Sequence, residues 1–214
     1  MVNTGLITIS KGALARQLMN DTLNLSPPAI YTTIQQETDS LDFDMASEPL
    51  TSSLLRTLVA SKPKGAFLEL GTGTGLSTAW MLDGMDTEAT LVSVDVDPVV
   101  TQIAHNHLGQ DPRLTFVTMD GGQFLVEAQT ETPRPQFDLI FADAMPGKYT
   151  HFDEAINLLK PGGIYVIDDM LPQPNWPGGH APKVAALIAH LESLDTVTIT
   201  KLNWATGIIL VVKR

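Results

Sequence analysis

From residue 65 onward the chain alternates short apolar runs with amphipathic stretches. Apolar residues fill 66–70 apart from Glu69, and similar runs predict strands over 90–96, 114–118, 137–142 and 164–168. Helical spacing of apolar positions falls near 76–84, 98–107, 122–128, 150–159 and 183–194. Strands that alternate with helices imply a parallel α/β sheet. Residues 196–201 and 207–213 are β-rich, and the link between them is too short for a crossover helix, so these two should pair antiparallel.

The first 61 residues read differently. A helical pattern over 12–20 is broken by Ser26-Pro27-Pro28, and a second one runs over 30–39. Residues 41–48 are acidic and read as loop. Ser47 is placed as N-cap of a further helix whose Leu50, Leu54, Leu55 and Leu58 fall at helical spacing, ending near Lys62-Pro63. The organisation expected is one structural domain, with a helical leader over 1–61 that covers a site or a subunit interface, as in a homodimer, and the α/β domain over 62–214. Residues 171–182 hold four prolines and two glycines, a loop after the fifth strand in which Trp176 offers an apolar wall.

Three glycines, Gly71, Gly73 and Gly75, follow the first strand at alternate positions, and a helix starts at Leu76. Such a turn lets a ligand lie against the backbone and presents free N–H groups. A dinucleotide fingerprint would need glycine at position 76, so it fails here. Glu69, in the strand just before the turn, suits an amine-bearing or cationic ligand better than a pyrophosphate.

Composition narrows the partner. Against 13 basic residues stand 24 acidic ones, a net charge of −11, which argues against nucleic acid or an anionic membrane. No cysteine is present, so thiolate metal sites and disulfides are excluded. No run of about eighteen apolar residues occurs, nor a basic segment leading into one, so a cytoplasmic protein with a small-molecule partner is expected.

Acids recur where the strands end, which is where open parallel sheets bind ligands. Asp95 lies 24 positions after Gly71, close to the spacing at which a carboxylate meets a ribose hydroxyl. Asp97, before Pro98, reads as a helix cap. Asp120 suits either an adenine amino group or a helix N-cap. Asp143 ends the fourth strand, and Asp168 with Asp169 the fifth; crowded carboxylates need a compensating charge, such as a hard divalent cation, unless they only cap loops and helices. His105 and His107 lie on different faces of a helix and read as surface residues, and His190 as structural. His151 and His180 reach the site only if their loops bring them there.

Taken together, Glu69-Leu-Gly-Thr-Gly-Thr-Gly75, Val92-Ser-Val-Asp95, Phe137-Asp-Leu-Ile-Phe-Ala-Asp143-Ala and Leu159-Lys-Pro-Gly-Gly-Ile-Tyr-Val-Ile-Asp168-Asp169 resemble the ordered motifs of class I S-adenosylmethionine-dependent methyltransferases. Within that class they are similar to the cation-dependent small-molecule O-methyltransferases, the catechol and caffeoyl-CoA type, over residues 45–214. The resemblance implies a Rossmann-like class I methyltransferase fold, an α/β architecture with a mostly parallel seven-stranded sheet and an antiparallel C-terminal hairpin. It implies S-adenosylmethionine held by Glu69 near its methionine end and by Gly71, Thr72, Gly73, Gly75, Ser77, Asp95, Val96, Asp120, Gly121 and Asp143. It also implies a divalent cation such as Mg²⁺ on Asp143, Asp168 and Asp169, although the group has Asn where this chain has Asp169. The group's lysine base stands three residues after the first metal acid, where this chain has Pro146. Lys148 follows it, and with Asp143 is the catalytic candidate. The activity expected is methyl transfer to an oxygen of a small acceptor; the rivals are an NAD-dependent oxidoreductase and a non-catalytic binding protein on the same fold.

Overall fold

The computed structural model describes residues 20–21 and 25–214. All but the last position of the helix expected over 12–20 lies outside the described residues. Two helices, α1 (Tyr31–Ser40) and α2 (Pro49–Ala60), precede the sheet. The strands are β1 (Ala66–Leu70), β2 (Thr90–Asp95), β3 (Leu114–Thr118), β4 (Phe137–Ala142), β5 (Leu159–Ile167), β6 (Val197–Leu202) and β7 (Ile208–Lys213). Between them run α3 (Leu76–Gly84), α4 (Thr101–Leu108), α5 (Gly121–Ala128), α6 (Phe152–Asn157) and α7 (His180–Ser193).

The seven strands form one sheet in the order β3-β2-β1-β4-β5-β7-β6. The first five strands pair in parallel, while β7 runs antiparallel to both β5 and β6, as expected of a Rossmann-like methyltransferase sheet with a terminal hairpin. Helices cover both faces, which is why the strands read as nearly continuous apolar runs. Leu68, Leu70, Ile140, Tyr165 and Ile167 face one side with Leu125, Phe152 and Leu187 from the helices. On the other side Phe67, Leu139, Phe141 and Val166 meet Ile34, Leu55 and Val59, so α1 and α2 of the leader are packed into the core of the sheet. Each such leucine or isoleucine contributes about 1.5–3 kcal/mol by leaving water.

The helices α4 and α7 begin three residues from the expected starts at 98 and 183, and the region around the fifth strand differs further. The fifth strand begins at Leu159, not 164: Leu159 pairs with Phe137, and the register then shifts so that Leu139 meets Ile164. Lys160-Pro161-Gly162-Gly163, a turn by composition, is carried inside the strand as that irregularity, a position where Pro and Gly are tolerated. The helix expected over 150–159 is therefore only the six residues of α6. No helix among the described residues is long and apolar enough to cross a membrane.

Because β1 is flanked by β2 on one side and β4 on the other, chain order reverses there. The crevice at the carboxyl ends of β1 and β4 is where such a sheet receives a ligand.

Candidate functional site

The turn after β1 is shaped by its glycines. Gly71, Gly73 and Gly75 have φ of 104°, 53° and 92°. At Gly75, the residue before α3, a Cβ would stand 2.7 Å from the Cβ of Ala104, so α4 packs where a side chain would be. The Gly71 amide donates to Val94 O and the Gly73 amide to Asp95 Oδ2 at 2.8 Å. Asp95 Oδ1 accepts from the Asp97 amide at 3.0 Å; Asp97, expected as a helix cap, instead holds the amides of Val99 and Val100 in the turn before α4, whose N-cap position is Val100. The Asp95 carboxylate is thus fixed beside the turn, with lone pairs left for a ligand.

Glu69, which the resemblance sets near the methionine end of the cofactor, lies directly behind the glycine turn. Its side chain is fully buried behind the turn, Oε1 accepting from Ser77 and Oε2 from Thr78 and Ser93, each at 2.6 Å. Burial raises its pKa in spite of the three hydroxyl donors. The acid therefore braces the turn from below: Ser93 also bonds the Thr72 hydroxyl at 2.6 Å, and Thr72 and Ser77 both line the crevice.

Local geometry also fixes the surroundings of Asp120 and Gly121. Asp120 is exposed and caps α5, its Oδ1 accepting from the Gln123 amide at 2.9 Å. Gly121 packs against Pro146, where a Cβ would come within 3.2 Å. Neither residue, nor Gly75, lines the cavity in the crevice.

That cavity measures about 410 Å³ and is lined by Gly71, Thr72, Gly73, Ser77, Asp95 and Val96 at one end and by Asp143, Lys148 and Asp169 at the other. Its size is that of a site for a small molecule. Phe43, Met45, Ala46 and Ser47 of the leader close one wall. Ser47, expected as a helix cap, instead donates its hydroxyl to Asp143 Oδ2 at 2.6 Å, and Glu48 precedes the helix with no side-chain cap. The reason is tertiary: the hydroxyl meets the carboxylate of the residue just after β4, 96 residues away.

The acids at the ends of β4 and β5 converge. Asp143, Asp168 and Asp169 each bring a carboxylate oxygen to within 4.8 Å of the others. Asp168 is 1% exposed and accepts from the Thr206 hydroxyl and from the Asp169 amide at 2.8 Å. Asp169 has a φ of 61°, a left-handed conformation that Asp tolerates better than most residues. Burial, assisted by the neighbouring carboxylates, pushes the Asp143 pKa well above its usual range and that of Asp168 to about 6.

Lys148 supplies the opposing charge. Its Nζ is 3.7 Å from Asp143 Oδ1 and 3.8 Å from Asp169 Oδ2, with the side chain only 4% exposed. The turn from Met145 makes this possible. Pro146 occupies the position three residues after Asp143, and Gly147 follows with φ 81°, its carbonyl accepting from the Tyr165 hydroxyl at 2.8 Å and its amide donating to Thr150 O at 2.7 Å. A Cβ on Gly147 would lie 2.5 Å from Leu70, so only glycine lets the chain double back to aim Lys148 at the acids.

Tyr149 and His180 complete the far wall, their Oη and Nε2 3.0 Å apart. Burial, then Lys148, lowers the His180 pKa, and burial raises that of Tyr149 to about 12. Trp176 stands behind His180, ring centres 4.5 Å apart, rather than forming the wall itself. His151 is exposed and lines a neighbouring cavity of about 460 Å³ with Lys183 and His190. His105 stacks on Phe116 and His107 meets Glu37 at 2.7 Å, on different faces of α4 as expected. Phe43, Met45 and Ser47 carry no sequence signal for this site, because nothing local in an acidic loop marks which side chains turn inward.

A family model for O-methyltransferases matches residues 30–214. A curated relative from Mycolicibacterium vanbaalenii, provisionally named an O-methyltransferase, is 34% identical over 126 residues, 57% of this chain and 54% of the relative. The chain thus spans about half the length of the curated relatives it matches. The O-methyltransferase TomG of Streptomyces achromogenes, involved in tomaymycin synthesis and crystallised with S-adenosylmethionine, superposes with a TM-score of 0.79 at 20% identity, covering 93% of this chain and 96% of TomG. An O-methyltransferase from Bacillus cereus in complex with S-adenosylhomocysteine gives 0.79 at 19% identity, covering 94% and 97%. At these identities the two structures share the fold.

Proposed function

Because the chain belongs to the O-methyltransferase family, we propose that it transfers the methyl group of S-adenosylmethionine to an oxygen of a small-molecule acceptor. The observation that carries the reading is one cavity with the glycine turn and Asp95 at one end and three carboxylates with Lys148 at the other. Gly71, Thr72, Gly73, Asp95 and Val96 would hold the nucleoside and amino-acid portions, with Asp95 accepting from the ribose hydroxyls. S-adenosylmethionine supplies the activated methyl on its sulfonium.

The chain's own residues act on the acceptor. Asp143, with its pKa raised by burial, is placed to take the proton of the acceptor's hydroxyl, and the Lys148 ammonium offsets the charge left on that oxygen. The oxygen then attacks the methyl carbon as the carbon–sulfur bond breaks, and S-adenosylhomocysteine leaves. Ser47 orients Asp143, and the leader with the Tyr149–His180 pair keeps water from the reacting atoms. The carboxylate oxygens of Asp143, Asp168 and Asp169 are the donor type that hard cations prefer, so these three would hold a divalent cation such as Mg²⁺. Bound there, such a cation would lower the proton affinity of the acceptor's hydroxyl. The net charge of −11 favours a small acceptor over a polyanion.

Calorimetric titration with S-adenosylmethionine and, separately, with NAD⁺ tests the reading: binding of the first and not of the second is expected, and the reverse would overturn it. Asp95→Ala should raise the dissociation constant for S-adenosylmethionine about ten- to a hundredfold, since it removes charge-assisted bonds to the ribose and frees the Gly73 amide. Circular dichroism separates that loss from unfolding.

A further inference from the structure

The three carboxylates already face a cation that belongs to the chain. Lys148 enters the cluster from a turn fixed by Pro146 and Gly147, and its ammonium lies at nearly equal distances from Asp143 and Asp169. Its stem is buried, and the turn is tied by the Tyr165 and Thr150 bonds, so the side chain has little room to withdraw into solvent. A divalent ion that takes oxygens from Asp143 and Asp169 must meet this ammonium at close range, beside a lysine side chain 4% exposed and an Asp143 side chain 10% exposed, where repulsion between like charges is only partly screened.

We propose that Lys148 is an internal competitor of the divalent cation: its ammonium satisfies part of the cluster's charge and sets how much external cation is needed to fill the site. The inference rests on the three-carboxylate cation site described above, but not on methyl transfer. It assigns Lys148 a role in cation affinity separate from its contact with the acceptor, because the ammonium already offsets part of the negative charge that would hold the ion.

The test is direct binding of Mn²⁺ to the full chain, followed by the paramagnetic resonance signal of the free ion, with no acceptor present. Lys148→Met, which keeps the length of the side chain and removes its charge, should bind Mn²⁺ at least about thirtyfold more tightly than the unaltered chain. Lys148→Arg, which keeps the charge, should stay within about threefold of the unaltered chain. Asp168→Asn added to Lys148→Met should reverse the gain. Equal affinity in the unaltered chain and Lys148→Met, with loss on Asp168→Asn in both, would overturn the competition and leave the cation site standing. Absence of Mn²⁺ binding in every variant, each folded by circular dichroism, would overturn the competition together with the cation site.

Discussion

Asp143→Asn is expected to lower kcat/KM for methyl transfer by at least about a hundredfold while S-adenosylmethionine affinity changes by less than about threefold. The substitution is nearly isosteric, and its amide oxygen still accepts from Ser47, so the local packing survives. What it removes is the charge. Asp143 is the acid that both Lys148 and the leader contact, and it sits where β4 ends beside the glycine turn, its amide bonded to Leu70 O at 2.9 Å. Without its carboxylate the acceptor's proton loses its destination and the cluster loses a cation ligand. Steady-state kinetics with an identified acceptor, paired with cofactor calorimetry, checks the split; a loss below tenfold would remove Asp143 from the chemistry.

Gly75→Ala should destabilise the fold by about 2–4 kcal/mol, roughly 5–15 °C in Tm. Two costs add. At φ 92° any side chain is strained, by about 1 kcal/mol, and the new Cβ would lie 2.7 Å from Ala104 Cβ and 3.1 Å from Ala104 Cα. Those atoms belong to α4, which can move away only by pulling Ala104 and Leu108 out of the core. Gly162→Ala is the control: φ is 75°, yet nothing lies within 4 Å, so only the strain of about 1 kcal/mol should appear. Thermal unfolding of the two variants side by side measures the packing share. Equal shifts would show that α4 yields freely.

The elements and their order were legible because they rest on short-range physics. Apolar runs of five or six residues between Gly- and Pro-rich breaks predict strands that helices cover on both sides, and β1 to β4, β6 and β7 lie within a residue or so of the expected spans. The start of β5 is hidden from the local sequence because a Pro-Gly-Gly run signals a turn, whereas pairing of Leu159 with Phe137 absorbs it as an irregular register. The convergence of Asp143, Asp168 and Asp169 was also legible, since acids that end neighbouring parallel strands emerge at one edge of the sheet.

By itself, then, the sequence determined the alternation of strands and helices, the glycine turn and the edge at which the acids gather, all properties of residues close along the chain. Which side chains face the cavity was decided only by packing. Glu69 follows the strand alternation into the space beneath the turn, where three hydroxyls meet it, and so braces the site instead of lining it. Ser47 and Phe43 come from a loop with no periodicity, and their inward position depends on how α1 and α2 pack on the sheet. Lys148 reaches the acids because Gly147 fits between Leu70 and Tyr165, a contact between segments far apart in sequence that no local pattern encodes.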